Sequence, residues 1–552
     1  MLKHRSRLLV AALALAVPAA SASTVAAAAD LRPLAGPPGP TLTVQANHPA
    51  PAGVRARPVG ALPVRVPNRS AYAAQKAAAN AAAARLASRA SASVRPAVAL
   101  APSLVRNWAG QRDTTDAPSD STGAIGTTRY IELINSKVAI YSRTSNTPTA
   151  SGPLLQLTGC ATMGCTESVF DVQVIWDPGT NRFFYATDDI VSSSQNFINF
   201  GFSSTATPTL SMSSWCRYSL NFGSTFPDYP KLGDTKDFVL IGSNHFSGPS
   251  FAGSHIAWVS KPPSGSACPA PSTFKAGESG TLKNANGTPA FTPVPANQTD
   301  TSSTGWAVAR PVSIPAAGAT SLTLFKVTKS ATGTATIPTT GISVPVNAYQ
   351  VPAAAPQPGT AFKLDTLDAR PTQAVSAVDP KHGSVTALWT QHTVFGGAGA
   401  QVRWYEINPA TNSLIQHGTI SNSSLFTFNG AISPDRRVNG TSKMFGGDMV
   451  ISVNQSSSSA LPAIRVASKI GTNAISALKL VATSNAADKG FDCMTAQEPN
   501  LCRWGDYAGA SPDPAAPTTG TTGQVWGTSM LAASGGSASS SGWTTRNFAV
   551  MP

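Results

Sequence analysis

One local grammar returns along this chain at intervals of tens of residues. A polar residue opens a short apolar run, a cluster of turn residues follows, and a second apolar run comes back. It is fullest near the end. There Arg503, Trp504, Gly505, Asp506 and Tyr507 precede the turn residues Gly509, Pro512, Asp513 and Pro514, and residues 524–529 read as a strand around Trp526. Residues 171–187 and 228–244 repeat the pattern, and an apolar run–turn–apolar run is the unit of a repeating all-β protein. Further units fall at 130–141, where 135–137 form a compact hairpin turn, and at 291–327, 373–407 and 431–468, while 238–259 continues the unit that opens at 228. One four-stranded sheet buries its faces poorly alone, whereas sheets packed radially bury both faces and leave only short edges. The expectation is therefore an all-β β-propeller, with seven blades from the seven units and six or eight left open by the insertions between them. The competing architecture is a pair of β-sandwiches.

Composition supports strands over helices. Among 552 residues there are 45 Gly and 44 Pro, and charged residues make up only 12%. Long surface helices would need more Glu and Lys than this chain offers.

The first residues carry an export pattern: Lys3, Arg5 and Arg7, an apolar core over 8–17, and the small residues Ala20, Ser21 and Ala22. The apolar core is too short to span a bilayer, and no later segment is long and apolar enough either. Residues 1–29 thus read as a signal peptide, and the chain as secreted. Residues 30–103 are dominated by Ala, Pro, Val and Arg, with almost no aromatics. That composition predicts a disordered basic linker or pro-region in which residues 73–90 could form a helix marginal on its own. The propeller domain is expected over 104–552.

The formal charge of +14 belongs mostly to this amino-terminal region. Residues 1–100 hold 12 Lys and Arg against the single acid Asp30, and the remaining 452 residues are nearly balanced. A basic tail without a basic domain face argues against nucleic-acid recognition. Six cysteines in an exported chain favour disulfides, and spacing suggests Cys160 with Cys165, Cys493 with Cys502, and Cys216 with Cys268. Neither a Cys-x-x-Cys pair nor His at ligand spacing is present, so no metal is expected. With neither phosphate loop nor dinucleotide fingerprint, no cofactor is expected.

Several motifs in order carry a resemblance. Tyr130 and Asn135 with 138–141, Asp171 with Trp176, Asp177, Pro178, Arg182 and Phe183, residues 228–233, residues 403–406 and residues 503–507 together resemble a family of secreted bacterial proteins of the sialidase-like β-propeller type. The resemblance spans about 123–531. It implies fold and export and carries over no catalytic residues.

Propellers place ligands at the central channel. The candidate ligand-binding residues are Arg503, Asp506, Tyr507, Asp228, Asp171 and Glu132, and the ligand expected is a carbohydrate or another surface ligand. The alternative is a sialidase-like glycoside hydrolase using Arg370, Arg403 and Arg503 with Asp228, Asp506 and Tyr507. Against it, the Ser-x-Asp-x-Gly-x-Thr-Trp box is missing, so whether the protein is an enzyme stays open. The bland reading of Arg503 and Asp506 is a buried structural pair. Asp120, His417 and Ser529 echo the order of subtilisin-type motifs, but their spacing and the β pattern argue for coincidence. Oligomeric state is not legible.

Overall fold

The computed structural model describes residues 40–46, 64–87, 100–159, 169–192, 194–300, 302–436, 445–495, 498–515 and 522–552. The signal segment and the Cys160–Cys165 pair lie outside these residues.

Among the described residues there are eight sheets: a small three-stranded one, and seven that follow one another along the chain, antiparallel but for the two-residue strand Asn297–Gln298 added to the fifth, each running from an innermost to an outermost strand. Their innermost strands are Thr122–Ile125, Val169–Asp177, Phe226–Asp234, Ala290–Pro295, Pro371–Asp379, Phe426–Pro434 and Gly509–Pro512. Each touches the next, and the last touches the first. The outermost strand of the seventh sheet, Ser103–Ala109, comes from the other end of the domain and pairs antiparallel with Trp543–Met551. The molecule is an all-β propeller in which one sheet is built from both ends of the domain.

Every seam between neighbouring sheets has its own apolar core, which is why the alternating strands can afford two buried faces. Ile131, Val174 and Trp215 fill the seam between the first and second sheets. Ile198, Phe200, Ile241 and Val259 fill the next, and Trp389, Trp404, Met449 and Ile451 join the fifth to the sixth. The closing seam, between seventh and first, is aromatic: Trp108 meets Tyr130, Tyr141 and Trp526 edge-on at 5.6–5.8 Å. Edge-to-face rings add about 1 kcal/mol each beyond burial.

Aspartates end the innermost strands of several sheets and cap the turn that follows. Asp177 accepts hydrogen bonds from Gly179 N and Thr180 N, Asp379 from Lys381 N, and Asp513 from Ala515 N. This is the local reason for the recurring aspartate turns in the sequence: a short carboxylate satisfies the amides of a tight turn.

Two described segments within 30–103 join the sheets. Residues Val44–Ala46 pair with the outer edge of the second sheet. Arg69–Ala87 form a helix whose buried residues Tyr72, Lys76, Ala79 and Ala83 recur at helical spacing along one face. Asn68 Oδ1 caps its start by accepting from Ala71 N at 3.0 Å. Alanine is small enough to pack this face closely, and the Lys76 ammonium finds partners in Thr366 Oγ1 and Leu367 O, each at 2.7 Å, and in Asp365 at 3.3 Å. Tertiary packing stabilises a helix that would be marginal alone.

Among the described residues two disulfides are present, Cys216–Cys268 and Cys493–Cys502, both paired as expected. Among the described residues, no helix is long and apolar enough to cross a membrane.

Candidate functional site at the channel mouth

The innermost strands start irregularly, and the irregularity recurs. Non-glycine residues with positive φ stand two residues before, or within the first four residues of, six of them: Asp120, Asp171, Tyr229, Thr292, Ala369 and Asn429. The strand register slips at the same places, for example between Phe170 and Gln173 and between Asp228 and Lys231. A bulge beside a strand start turns side chains out of the sheet plane, and left-handed backbone at non-glycine residues persists only where the surroundings enforce it. Here the bulges gather polar side chains at one end of the channel.

The resulting cavity is lined by Asp120, Asp171, Asp228 and Tyr229, Arg370, and Arg503 with Asp506, together with Phe170, Phe226 and the amino-terminal Val64 and Arg65. Five of the seven sheets contribute. Arg503 donates to Asp506 Oδ2 at 2.5 Å, both side chains being 7% exposed. Asp120 accepts from Asp506 N at 3.0 Å and from Asn135 Nδ2 at 2.7 Å. Asn135 Oδ1 in turn accepts from Asp171 N at 2.7 Å. Arg370 is clamped by Asp368 through Nε and Nη2 at 2.8 and 2.9 Å, and its guanidinium lies over the Tyr229 ring at 4.6 Å.

Burial dominates the electrostatics. It pushes the Asp120 carboxyl up to about 7, with Asp171 adding to the rise. Asp228 is also pushed up to about 7 by burial, against the pull of Arg370 and of Arg65, whose Nε is 4.0 Å away. Asp506 is raised by burial to about 6, and the Arg503 guanidinium opposes that rise. Behind them Asp188 is fully buried with neither carboxylate oxygen hydrogen-bonded, and its pKa is driven well above the ordinary value by burial and by Asp171 and Asp228. A set of carboxyls poised near neutrality beside fixed guanidinium groups can donate or accept hydrogen bonds according to pH.

Four of the six expected site residues, Arg503, Asp506, Asp228 and Asp171, meet here. Tyr507 sits one layer deeper: its hydroxyl donates to Asp171 Oδ2 at 3.2 Å and its ring packs on the Lys231 amine at 3.3 Å. Among the described residues Lys231 Nζ has no hydrogen-bond partner, and burial lowers its pKa well below the usual lysine range. Glu132 is elsewhere. It faces the seam between the first and seventh sheets, fully buried, accepting from Asn547 Nδ2 at 2.8 Å and Tyr141 Oη at 3.1 Å. The carboxylate belongs to the closure of the ring, because residue 132 lies on the strand face that packs against the seventh sheet.

The stretch 503–506 is a bend between strands, so Arg503 and Asp506 reach each other without crossing a sheet. Arg403 is away from the mouth, donating to the carbonyls of Asn347 and Ala348. Asp120, His417 and Ser529 do not converge: His417 is on an outer strand and Ser529 hydrogen-bonds Asn454. Sequence reading missed Asp120, Tyr229 and Arg65 as site residues. The signal that could have found the first two is positional, since both stand at innermost-strand starts like Asp171.

The fold and this mouth define a propeller with a polar, partly roofed channel entrance. No protein family matches the chain, and no curated protein does. Solved structures with a similar fold include the Dos1 propeller, 12% identical over 80% of this chain and 94% of that one at a TM-score of 0.37. The parainfluenza virus 5 hemagglutinin-neuraminidase ectodomain is 9% identical, covering 69% and 84%, with a TM-score of 0.35. An N-acetylgalactosamine deacetylase from F. plautii, in complex with blood group B trisaccharide, is 9% identical, covering 83% and 96%, with a TM-score of 0.31. At such scores neither substrate nor activity passes to this chain.

Proposed function

We propose that the chain is an exported seven-bladed propeller that binds a carbohydrate or another cell-surface ligand at the channel mouth. The observation that supports this reading is the convergence of Asp120, Asp171, Asp228, Arg370, Arg503 and Asp506 with the aromatic residues Phe170, Phe226 and Tyr229. Sugars present hydroxyl groups around an apolar ring face, and sites for them combine planar polar groups with aromatic surface. The export pattern and the two disulfides suit an extracellular partner.

Immobilised glycans tested with the purified chain check the proposal. Selective retention that is lost in Asp228→Asn, at a pH where the variant melts like the parent, is the expected result. Retention of no glycan, or retention indifferent to Asp228, sinks it. A second reading, glycoside hydrolysis, is favoured by one observation: Asp120 and Asp228 are held protonated up to about pH 7 by burial, as an acid catalyst requires. Release of free sugar from a retained glycan separates hydrolysis from binding.

A further inference from the structure

Away from the channel, one end of the seam between the second and third sheets gathers two histidines and a glutamate that the channel reading leaves unused. His245 lies on Phe238–Ser247, His255 on Ser250–Ser260 and Glu278 on Ala276–Glu278, three adjacent strands of the third sheet. The register explains their meeting. His245 pairs with Gly253 and Ser243 with His255, so the two imidazoles are diagonal neighbours on one face. Glu278, opposite Ala257, shares that face.

Gly253, opposite His245, has a φ of +127°, and a Cβ there would meet Thr281 Cγ2 at 2.6 Å. The rings stack in parallel, centroids 4.2 Å apart and planes 7° apart. The Ser279 carbonyl, which can only accept, takes the Nδ1 proton of His255 at 3.1 Å. A backbone carbonyl oriented this way is the usual outer support of a metal-ligating histidine.

The carboxylate completes the set. Glu278 Oε2 is buried without a hydrogen-bond partner, and no Lys or Arg pairs with Glu278 among the described residues. Its oxygens lie 3.9 Å from His245 Nε2 and 3.8 Å from the His255 ring at Nδ1, which leaves Nε2, 3.5 Å from Thr281 Oγ1, as the His255 nitrogen that carries the lone pair. One ligand atom from each of the three residues falls within 4.8 Å of the others. A tetrahedral ion with bonds of about 2 Å needs ligand separations of roughly 3.3 Å, and because imidazole lone pairs lie in the ring plane, binding requires at least one of the stacked rings to turn out of the stack.

We propose that His245, His255 and Glu278 form a site for one divalent transition-metal ion of the zinc class. Two neutral imidazoles and one carboxylate suit a borderline ion and leave a fourth position for water. The side chains of His255 and Glu278 are 13% and 10% exposed, which gives the ion a way in. Bound there, the ion ties the short outer strand Ala276–Glu278 to the two strands beside it.

The test uses the full chain, stripped with a chelator and titrated with zinc against a chromophoric competitor. One equivalent bound, with a raised melting temperature reversed by the chelator, is the expected result. Affinity should fall by about tenfold or more in both His245→Ala and Glu278→Gln. If His245→Ala does not fold, Glu278→Gln decides alone, since it keeps the shape of the side chain. Wild-type protein that takes up no zinc overturns the proposal. So does zinc binding undiminished in Glu278→Gln, which would place the ion elsewhere, as at the Asp379, His382 and Glu406 group.

Discussion

At the scale of single residues, Asp506 shows how one side chain serves both packing and the channel mouth. It lines the cavity and also compensates a buried guanidinium, so removing it leaves Arg503 6% exposed without its carboxylate. Asp506→Ala should therefore destabilise by about 3 kcal/mol or more, read as a shift of the urea midpoint at constant slope. An unchanged midpoint would show that the pair contributes to binding alone. Asp228 has a different signature. Its carboxyl is raised to about 7 in the folded chain against an ordinary value of 3.8, so the folded state holds the proton more tightly. The stability this contributes is complete below about pH 4 and is lost as pH rises toward 7. Asp228→Asn should flatten the stability profile between those limits, and a parallel profile in the variant would refute the assignment.

Between elements, glycine decides how closely two sheets approach. A Cβ on Gly242 would stand 2.0 Å from the carbonyl oxygen of Pro293 in the fourth sheet, and backbone cannot yield as a flexible side chain can. Gly242→Ala should cost about 1–3 kcal/mol by forcing the third and fourth sheets apart. A thermal melt would detect that loss. The amino-terminal helix is held by other means. Lys76 is buried against Asp365 and two carbonyls, so Lys76→Ala leaves Asp365 with Tyr72 as its remaining side-chain neighbour and weakens the docked face. Limited proteolysis should then cut within 69–87 before the propeller unfolds, whereas a helix as resistant as the parent's would show that the alanine face alone holds it.

For the whole molecule, ring closure is the cooperative element. Trp108 enters from the strand that precedes the first blade and packs between the seventh and first sheets, 3% exposed. Trp108→Ala should cost about 3–5 kcal/mol and preserve a single unfolding transition, because every seam depends on a closed ring. Two separated transitions in denaturant would mean that the sheets unfold independently.

The β class, the turn chemistry and the succession of strand–turn–strand units were legible along the chain, because each rests on local alternation and on aspartates that cap their own turns. Residues such as Asp171, Asp228 and Arg503 could be singled out for the same reason: they stand at the openings of those units. Which of them meet was decided by ring geometry alone. Asp120 and Asp506 are 386 residues apart yet joined by a 3.0 Å hydrogen bond, and Glu132, equally polar in sequence, was carried to the opposite role in the closing seam. The docked helix shows the same limit. An alanine-rich stretch carries no strong local signal of burial, and only the sheets it packs against supply the partners that make a buried lysine tolerable.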